Sequence, residues 1–229
     1  MTIERTYQDI ERVMGELDKW VLTCGSGRYS EEHLEFDEAF FALPENFGIQ
    51  QIRAEIKEFA TMVLSRKDIK KILEIGFGYY GSTHFLWRQI ADQVTSIDYQ
   101  QSRINAFGEN MRKFYGKWVL DDKKSSFIYG KSAETSVLKK TYSFLKDGVD
   151  LLFIDGDHRY EGVMADFLLY APLVRPGGII AFHDAIAQAD DFGVPQFLKE
   201  LSEGKIGGKK YKFNKIVHSK SAGIAYCEI

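Results

Sequence analysis

The stretch Lys71-Ile-Leu-Glu-Ile-Gly-Phe-Gly-Tyr-Tyr-Gly-Ser-Thr83 decides how this chain folds. Ile72, Leu73 and Ile75 form an apolar, β-type run that meets three glycines, Gly76, Gly78 and Gly81, and a helix-like segment follows. Such a strand–turn–helix presents bare backbone N–H groups and a helix N-terminus to a ligand. Glycine suits the turn because positive φ and close backbone approach both penalise a Cβ. Glu74 places a carboxylate at the end of a buried strand, a costly position without a partner. The stretch reads as a cofactor loop.

Working outward, the rhythm after Lys71 alternates strands and helices. Expected strands are Ile72–Ile75, Val94–Ile97, Ser126–Tyr129, Val149–Ile154 and Gly178–Phe182, with helices at Ser82–Ile90, Ser102–Phe114, Thr135–Phe144 and Tyr160–Ala171 between them. The unalternating run Asp150-Leu-Leu-Phe-Ile154 is what a parallel sheet covered on both faces requires. A helix (Phe197–Leu201) and two strand-like runs, Lys212–Val217 and Gly223–Cys227, then predict a C-terminal antiparallel hairpin. The fold class is α/β: a doubly wound, mostly parallel, seven-stranded sheet of Rossmann-like type. In such sheets ligands sit beyond the carboxyl ends of the strands.

Ahead of this, Ile3, Tyr7, Ile10, Val13, Met14, Leu17, Trp20 and Val21 recur at helical spacing, and Gln50 to Ser65 predicts a second amphipathic helix. An acidic-aromatic segment with Phe36, Phe40 and Phe41 ends at Pro44. Residues 1–47 are expected to form a helical appendage, acting as a lid, a dimer face or packing for the sheet, and residues 48–229 the main domain.

The composition excludes several classes. In 229 residues, 45% hydrophobic and 28% charged content describe an ordinary globular chain with no apolar run long enough to span a membrane. A net charge of −3 argues against a general nucleic-acid binder, and Lys205, Lys209, Lys210, Lys212 and Lys215 read as a solvated turn. The polar N-terminus lacks a signal-peptide core, and Cys24 and Cys227 lack metal spacing. A reduced, cytoplasmic setting is expected.

Gly76-x-Gly78-x-x-Gly81, followed by Asp98 at the end of the second strand, matches the dinucleotide fingerprint and suits nicotinamide and adenosine cofactors alike. Asp155, Asp157 and His158 share the turn after the fourth strand, and His183 and Asp184 end the fifth, so parallel neighbours would bring them into one cleft. Asp157 reads as a helix cap. His84, in the first turns of the helix after the loop, reads as structural.

Glu74-Ile-Gly76-Phe-Gly78, Ser96-Ile-Asp98, Phe153-Ile-Asp155-Gly-Asp-His158 and Arg175-Pro-Gly-Gly-Ile-Ile-Ala-Phe-His-Asp184 together resemble class I S-adenosylmethionine-dependent methyltransferases. The likeness is to the metal-dependent sugar and natural-product O-methyltransferase branch that also holds cephalosporin hydroxylase-like proteins, and it covers roughly residues 48 to 185. Gly81 stands one position later than in the usual Glu-x-Gly-x-Gly-x-Gly pattern. The resemblance implies Glu74, Gly76 and Gly78 on the methionine side of the cofactor, Gly81 and Ser82 as further cofactor contacts, Asp98 on the ribose and Tyr99 beside the adenine. It implies Lys131 and Ser132, with Asp155, as further cofactor contacts; Lys131 stands where relatives carry an acid. It implies Asp155, Asp184 and the residue at 183, here His183, as ligands of a divalent metal, and His158 as general base. Mg²⁺ suits the carboxylates, whereas an imidazole would favour Mn²⁺, Fe²⁺ or Zn²⁺. The expected reaction is metal-assisted O-methylation of a small-molecule hydroxyl, with homo-oligomerisation left open. The alternatives are an NAD-dependent oxidoreductase, a metal-free methyltransferase using His158 alone, and a non-catalytic cofactor-binding protein on the same scaffold.

Overall fold

Every residue of β4 (Val149–Ile154) is buried, and successive side chains enter opposite halves of the core. Leu151 and Phe153 join one apolar cluster, Leu152 and Ile154 the other. That division is the strand's two-residue period expressed on a sheet covered on both sides. The computed structural model describes residues 51–78, 81–101, 123–186, 192–218 and 222–229, with positions 8, 11, 12 and 15. Of the expected first helix only positions 8, 11, 12 and 15 are described, all of them helical; the rest of the 1–47 appendage and the expected Ser102–Phe114 helix lie outside the described residues.

The sheet runs β3-β2-β1-β4-β5-β7-β6. β1 (Lys71–Ile75), β2 (Gln93–Asp98), β3 (Ser125–Tyr129), β4 and β5 (Val174–Phe182) are parallel. β7 (Ile224–Glu228) inserts antiparallel between β5 and β6 (Asn214–Ile216), giving the terminal hairpin. Chain order reverses between β1 and β4, so the crevice expected of a doubly wound sheet opens between their carboxyl ends.

α1 (Arg53–Ser65) and α2 (Ser82–Ile90) cover one face through Ile56, Phe59, Val63, Phe85, Leu86 and Trp87. Phe59 meets Trp87 edge-on, ring centroids 5.9 Å apart, and burying one such phenylalanine contributes roughly 2–3 kcal/mol. α3 (Thr135–Phe144), α4 (Tyr160–Tyr170) and α5 (Val194–Glu203) cover the other face through Val137, Val163, Phe167, Phe197 and Leu201. α5 begins three residues earlier than the apolar spacing predicts, because Pro195 fits the first helical turn, where no N–H partner is needed. β6 is shorter than the expected Lys212–Val217 run.

Polar ties fix both ends of this frame. At the amino ends of the strands, Asp150 Oδ2 accepts the Lys70 and Lys71 N–H groups, each at 2.7 Å, and Oδ1 pairs with Arg175 Nε. Buried Glu55 on α1 accepts the N–H groups of His218 and Gly223, each at 2.8 Å, tying the β6–β7 connection to the helix. None of the described helices is long and apolar enough to cross a membrane.

Candidate active site

The glycine loop forms the β1 side of the switch point. Gly76 has φ 94°, and a Cβ there would lie 1.9 Å from the Asp155 carbonyl oxygen, so only glycine lets the loop lie against the β4 turn. Gly78 (φ 68°) has open space where its Cβ would be, leaving its backbone accessible to a ligand. Gly81 (φ 62°) is the N-cap of α2, and Ser82 is the first residue of that helix. Buried Phe77 donates its N–H to Asp98 Oδ2 at 3.0 Å, and Gln100 N–H reaches Oδ1 at 2.7 Å. Asp98 is thereby aimed by backbone donors at the end of β2.

Glu74 is fully buried. Its Oε2 accepts the Ser96 hydroxyl at 2.5 Å, whereas Oε1 makes no hydrogen bond. Burial pushes its pKa up to about 8; the Ser96 and Thr83 hydroxyls oppose that, and the Asp155 and Asp98 charges add to it. A buried acceptor of this kind fits a cationic donor. Behind it, His84 lies 2.6 Å from Ser96 Oγ through Nδ1 and 3.0 Å from Ser125 Oγ through Nε2. Burial, with the nearby Arg88 charge, lowers the His84 pKa well below its ordinary value, so the ring is neutral.

The second half of the site lies at the ends of β4 and β5. Asp155 N–H bonds to Ile75 C=O at 2.8 Å, which fixes the turn against β1. Its Oδ2 accepts Gln51 Nε2 at 2.7 Å, and its Oδ1 stands 3.2 Å from His183 Nδ1. The same His183 nitrogen is 3.3 Å from Asp184 Oδ1, and Asp184 Oδ2 is 2.6 Å from His158 Nδ1. Asp184 is the one non-glycine residue of positive φ (57°) among the described residues, a backbone state that aspartate tolerates better than most. For His183, burial favours the neutral ring, but the Asp184 and Asp155 charges outweigh it and raise the pKa well above the ordinary value. For His158 the Asp184 bond and charge likewise outweigh burial, and the pKa rises. Burial would raise Asp184, yet the two imidazoles hold it well below the usual carboxylate range. Donor atoms of Asp155, His158 and Asp184 lie within 4.8 Å of one another, close enough to hold one metal ion.

The other expected residues are more peripheral. Asp157 binds Arg159 through its N–H at 3.1 Å and its guanidinium, which makes it a turn residue outside the cluster. Tyr99 and Lys131 are exposed, and half-buried Ser132 accepts the Tyr170 hydroxyl on its carbonyl at 2.6 Å. Three contributors were missed: Gln51, whose Oε1 is also buried without a partner; Ser96; and Phe192, stacked on His158 at 4.9 Å. Only Ser96 carried a local signal, two residues before Asp98 on the same strand.

Residues 73–185 match the family model described as a methyltransferase domain. An uncharacterised protein of Sinorhizobium fredii is 28% identical over 144 residues, 58% of this chain and 15% of its own length. An uncharacterised protein of Acanthamoeba polyphaga mimivirus is 55% identical over 76 residues, 33% of this chain and 34% of its own. The chain thus spans well under two thirds of both relatives. Among solved structures, the Bacillus cereus O-methyltransferase in complex with SAH superposes with TM-score 0.58 at 15% identity, covering 97% of this chain and 91% of that one. TomG of Streptomyces achromogenes, an O-methyltransferase of tomaymycin synthesis solved with SAM, gives 0.58 at 16% identity over 93% and 88%. MycE of the mycinamycin pathway, solved with Mg, SAH and mycinamycin VI, gives 0.54 at 19% identity over 89% and 55%. Strand order, glycine loop and family match agree: residues 73–185 match a methyltransferase domain, and the chain takes the fold of the solved O-methyltransferases.

Proposed function

We propose that this chain methylates a hydroxyl group of a small molecule, using S-adenosylmethionine and a divalent cation. The observation that carries the reading is the contact of Gly76 with the Asp155 turn, where a Cβ would lie 1.9 Å from the Asp155 carbonyl. It puts a cofactor-type loop and a carboxylate–imidazole cluster on the two walls of one crevice. The residues fit both groups: Glu74 Oε1 is a buried acceptor without a donor, and the carboxylates of Asp155 and Asp184 cluster, beside His158, closely enough to hold one cation. When bound, S-adenosylmethionine supplies an electrophilic methyl group, and the cation lowers the pKa of the acceptor hydroxyl.

The chain's own residues do the rest. Glu74 receives the ammonium end of the cofactor and Asp98 the ribose hydroxyls, with Gly78 giving the backbone room to approach. Asp155 and Asp184 hold the cation, with His183 Nδ1 between their Oδ1 atoms orienting both carboxylates. Asp184 accepts His158 Nδ1–H, which leaves His158 Nε2 to take the acceptor's proton, a contribution of roughly 10²- to 10⁴-fold. Phe192 stacks on that imidazole and restricts its rotation.

Calorimetry with SAH and with NAD⁺ tests the cofactor half, and SAH binding alone is the expected result. The metal half predicts that EDTA and Asp184→Ala each lower methyl transfer at least about 100-fold. Stabilisation by NAD⁺ without SAH binding would overturn the reading. Full activity in EDTA would overturn its metal half, and SAH binding without turnover on any hydroxyl acceptor would leave a cofactor-binding protein only.

A further inference from the structure

Glu74, Ser96 and Ser125 stand on three adjacent strands, and their pairing puts them on one face. Glu74 is in register with Ser96, and Ser125 pairs with Val94, two residues before Ser96. That face also carries Ile72, Val94 and Phe127, which pack with residues of α2. His84 descends from α2 onto it, its ring 5.6 Å from Phe77 and 4.7 Å from Phe127. All four polar residues are buried.

Proton counting gives the chain a direction. A neutral imidazole has one N–H and one lone pair, and a serine hydroxyl has one proton. Ser96 Oγ donates to Glu74 Oε2 at 2.5 Å, so its contact with His84 Nδ1 at 2.6 Å is satisfied only if Nδ1 carries the proton. Nε2 must then accept from Ser125 Oγ at 3.0 Å. With Glu74 ionised, the state a bound cation favours, donation runs Ser125 → His84 → Ser96 → Glu74 and ends on a carboxylate. Were Glu74 protonated on Oε2, every bond would reverse and the imidazole proton would move to Nε2.

We infer that His84 is a positioning residue for the cofactor's cationic end: as the Nδ1–H tautomer it completes a one-way hydrogen-bond chain that holds Glu74 by its Oε2. Oε1 is left as the acceptor presented to a ligand ammonium. The inference rests on the reading of this crevice as a site for the amino-acid end of S-adenosylmethionine. Arg88 on α2, Asp98 on β2 and Asp155 after β4 are the charged groups whose fields act on the pair. None of them stands in the donor sequence.

The test uses the full chain with SAH and with adenosine, which lacks the ammonium. In the SAH complex, ¹⁵N-histidine NMR is expected to show His84 as the Nδ1–H tautomer. Ser96→Ala and His84→Phe are expected to weaken SAH about tenfold and leave adenosine affinity unchanged, since only a charge-assisted contact is loosened. His84→Asn, whose amide can still donate to Ser96, is expected to stay within about threefold of wild type. An Nε2–H signal in the SAH complex would overturn the inference, as would equal losses for SAH and adenosine or wild-type SAH affinity in Ser96→Ala. Wild-type protein that binds adenosine but not SAH would instead remove the underlying site reading. The NMR measurement needs no variant, so a failure of His84→Phe to fold leaves the test intact.

Discussion

Replacing Glu74 by glutamine should make the ligand-free protein more stable in alkali and a poorer cofactor binder. Burial lifts the Glu74 pKa from 4.5 to about 8, against the pull of the Ser96 and Thr83 hydroxyls. In the unfolded chain the carboxyl ionises near its ordinary value, whereas in the folded chain it holds its proton up to about 8. Folded protein therefore binds more protons across that window, and stability falls as pH rises through it. At about 1.4 kcal/mol per tenfold in proton affinity, the loss reaches at most about 5 kcal/mol. Partial relaxation around the charge brings it to about 3 kcal/mol. Glutamine, with the same shape and no charge, escapes that loss. For a chain of this size, about 3 kcal/mol corresponds to a thermal midpoint roughly 6–12 °C above wild type at pH 9, with little difference at pH 5. Calorimetric melts of both proteins from pH 5 to 9 measure this directly, and SAH titration should show at least about 100-fold weaker binding. Melting curves that move in parallel across the whole range would refute the reasoning.

Three further outcomes are expected. Gly76→Ala forces a Cβ to 1.9 Å from the Asp155 carbonyl at φ 94°; overpacking and backbone strain together cost about 3 kcal/mol, read as a lower melting midpoint together with lost SAH binding. Glu55→Gln turns an amide NH₂ onto one of the two N–H groups, of His218 and Gly223, that the carboxylate now accepts. It should cost about 1–3 kcal/mol in thermal melts while SAH affinity holds. In metal-stripped protein, His158 should titrate above its ordinary 6.5 because of its contact with Asp184. Its NMR midpoint should fall in Asp184→Asn, and an unchanged midpoint would show that the pair does not couple.

The frame was legible because its signals are local. The unalternating Asp150–Ile154 run announced a strand buried on both faces, and the glycines marked the switch-point turn. What sequence could not supply was register and reach. Gln51 meets Asp155 across 104 positions, with no spacing to reveal it. His84 reads as structural because Ser125, its second partner, comes within range only after β3 pairs with β2. The insertion of β7 between β5 and β6 is likewise set by pairing rather than composition. At 183 and 184, extended backbone would throw successive side chains to opposite sides. The left-handed turn at Asp184 brings its carboxylate within 3.3 Å of His183 Nδ1 and 2.6 Å of His158 Nδ1.

The charge inventory of the crevice also weighs between the two cofactor classes that the glycine spacing admits. Glu74, Asp98, Asp155 and Asp184 all gather at the carboxyl ends of β1, β2, β4 and β5. Glu74 meets hydroxyls only, whereas Asp184 meets at least two imidazoles, Asp155 an imidazole and an amide, and Asp98 at least two backbone N–H groups. A dinucleotide would lay its pyrophosphate on the glycine loop between Glu74 and Asp155. Each like-charge contact near 4 Å costs on the order of 4 kcal/mol at the dielectric typical of such sites. An ammonium and a sulfonium in the same place reverse that sign and lower the Glu74 pKa instead of raising it further. The same electrostatics accounts for tolerating a buried, under-bonded carboxylate at Glu74 at all: its cost to the ligand-free fold is recovered when a cation binds.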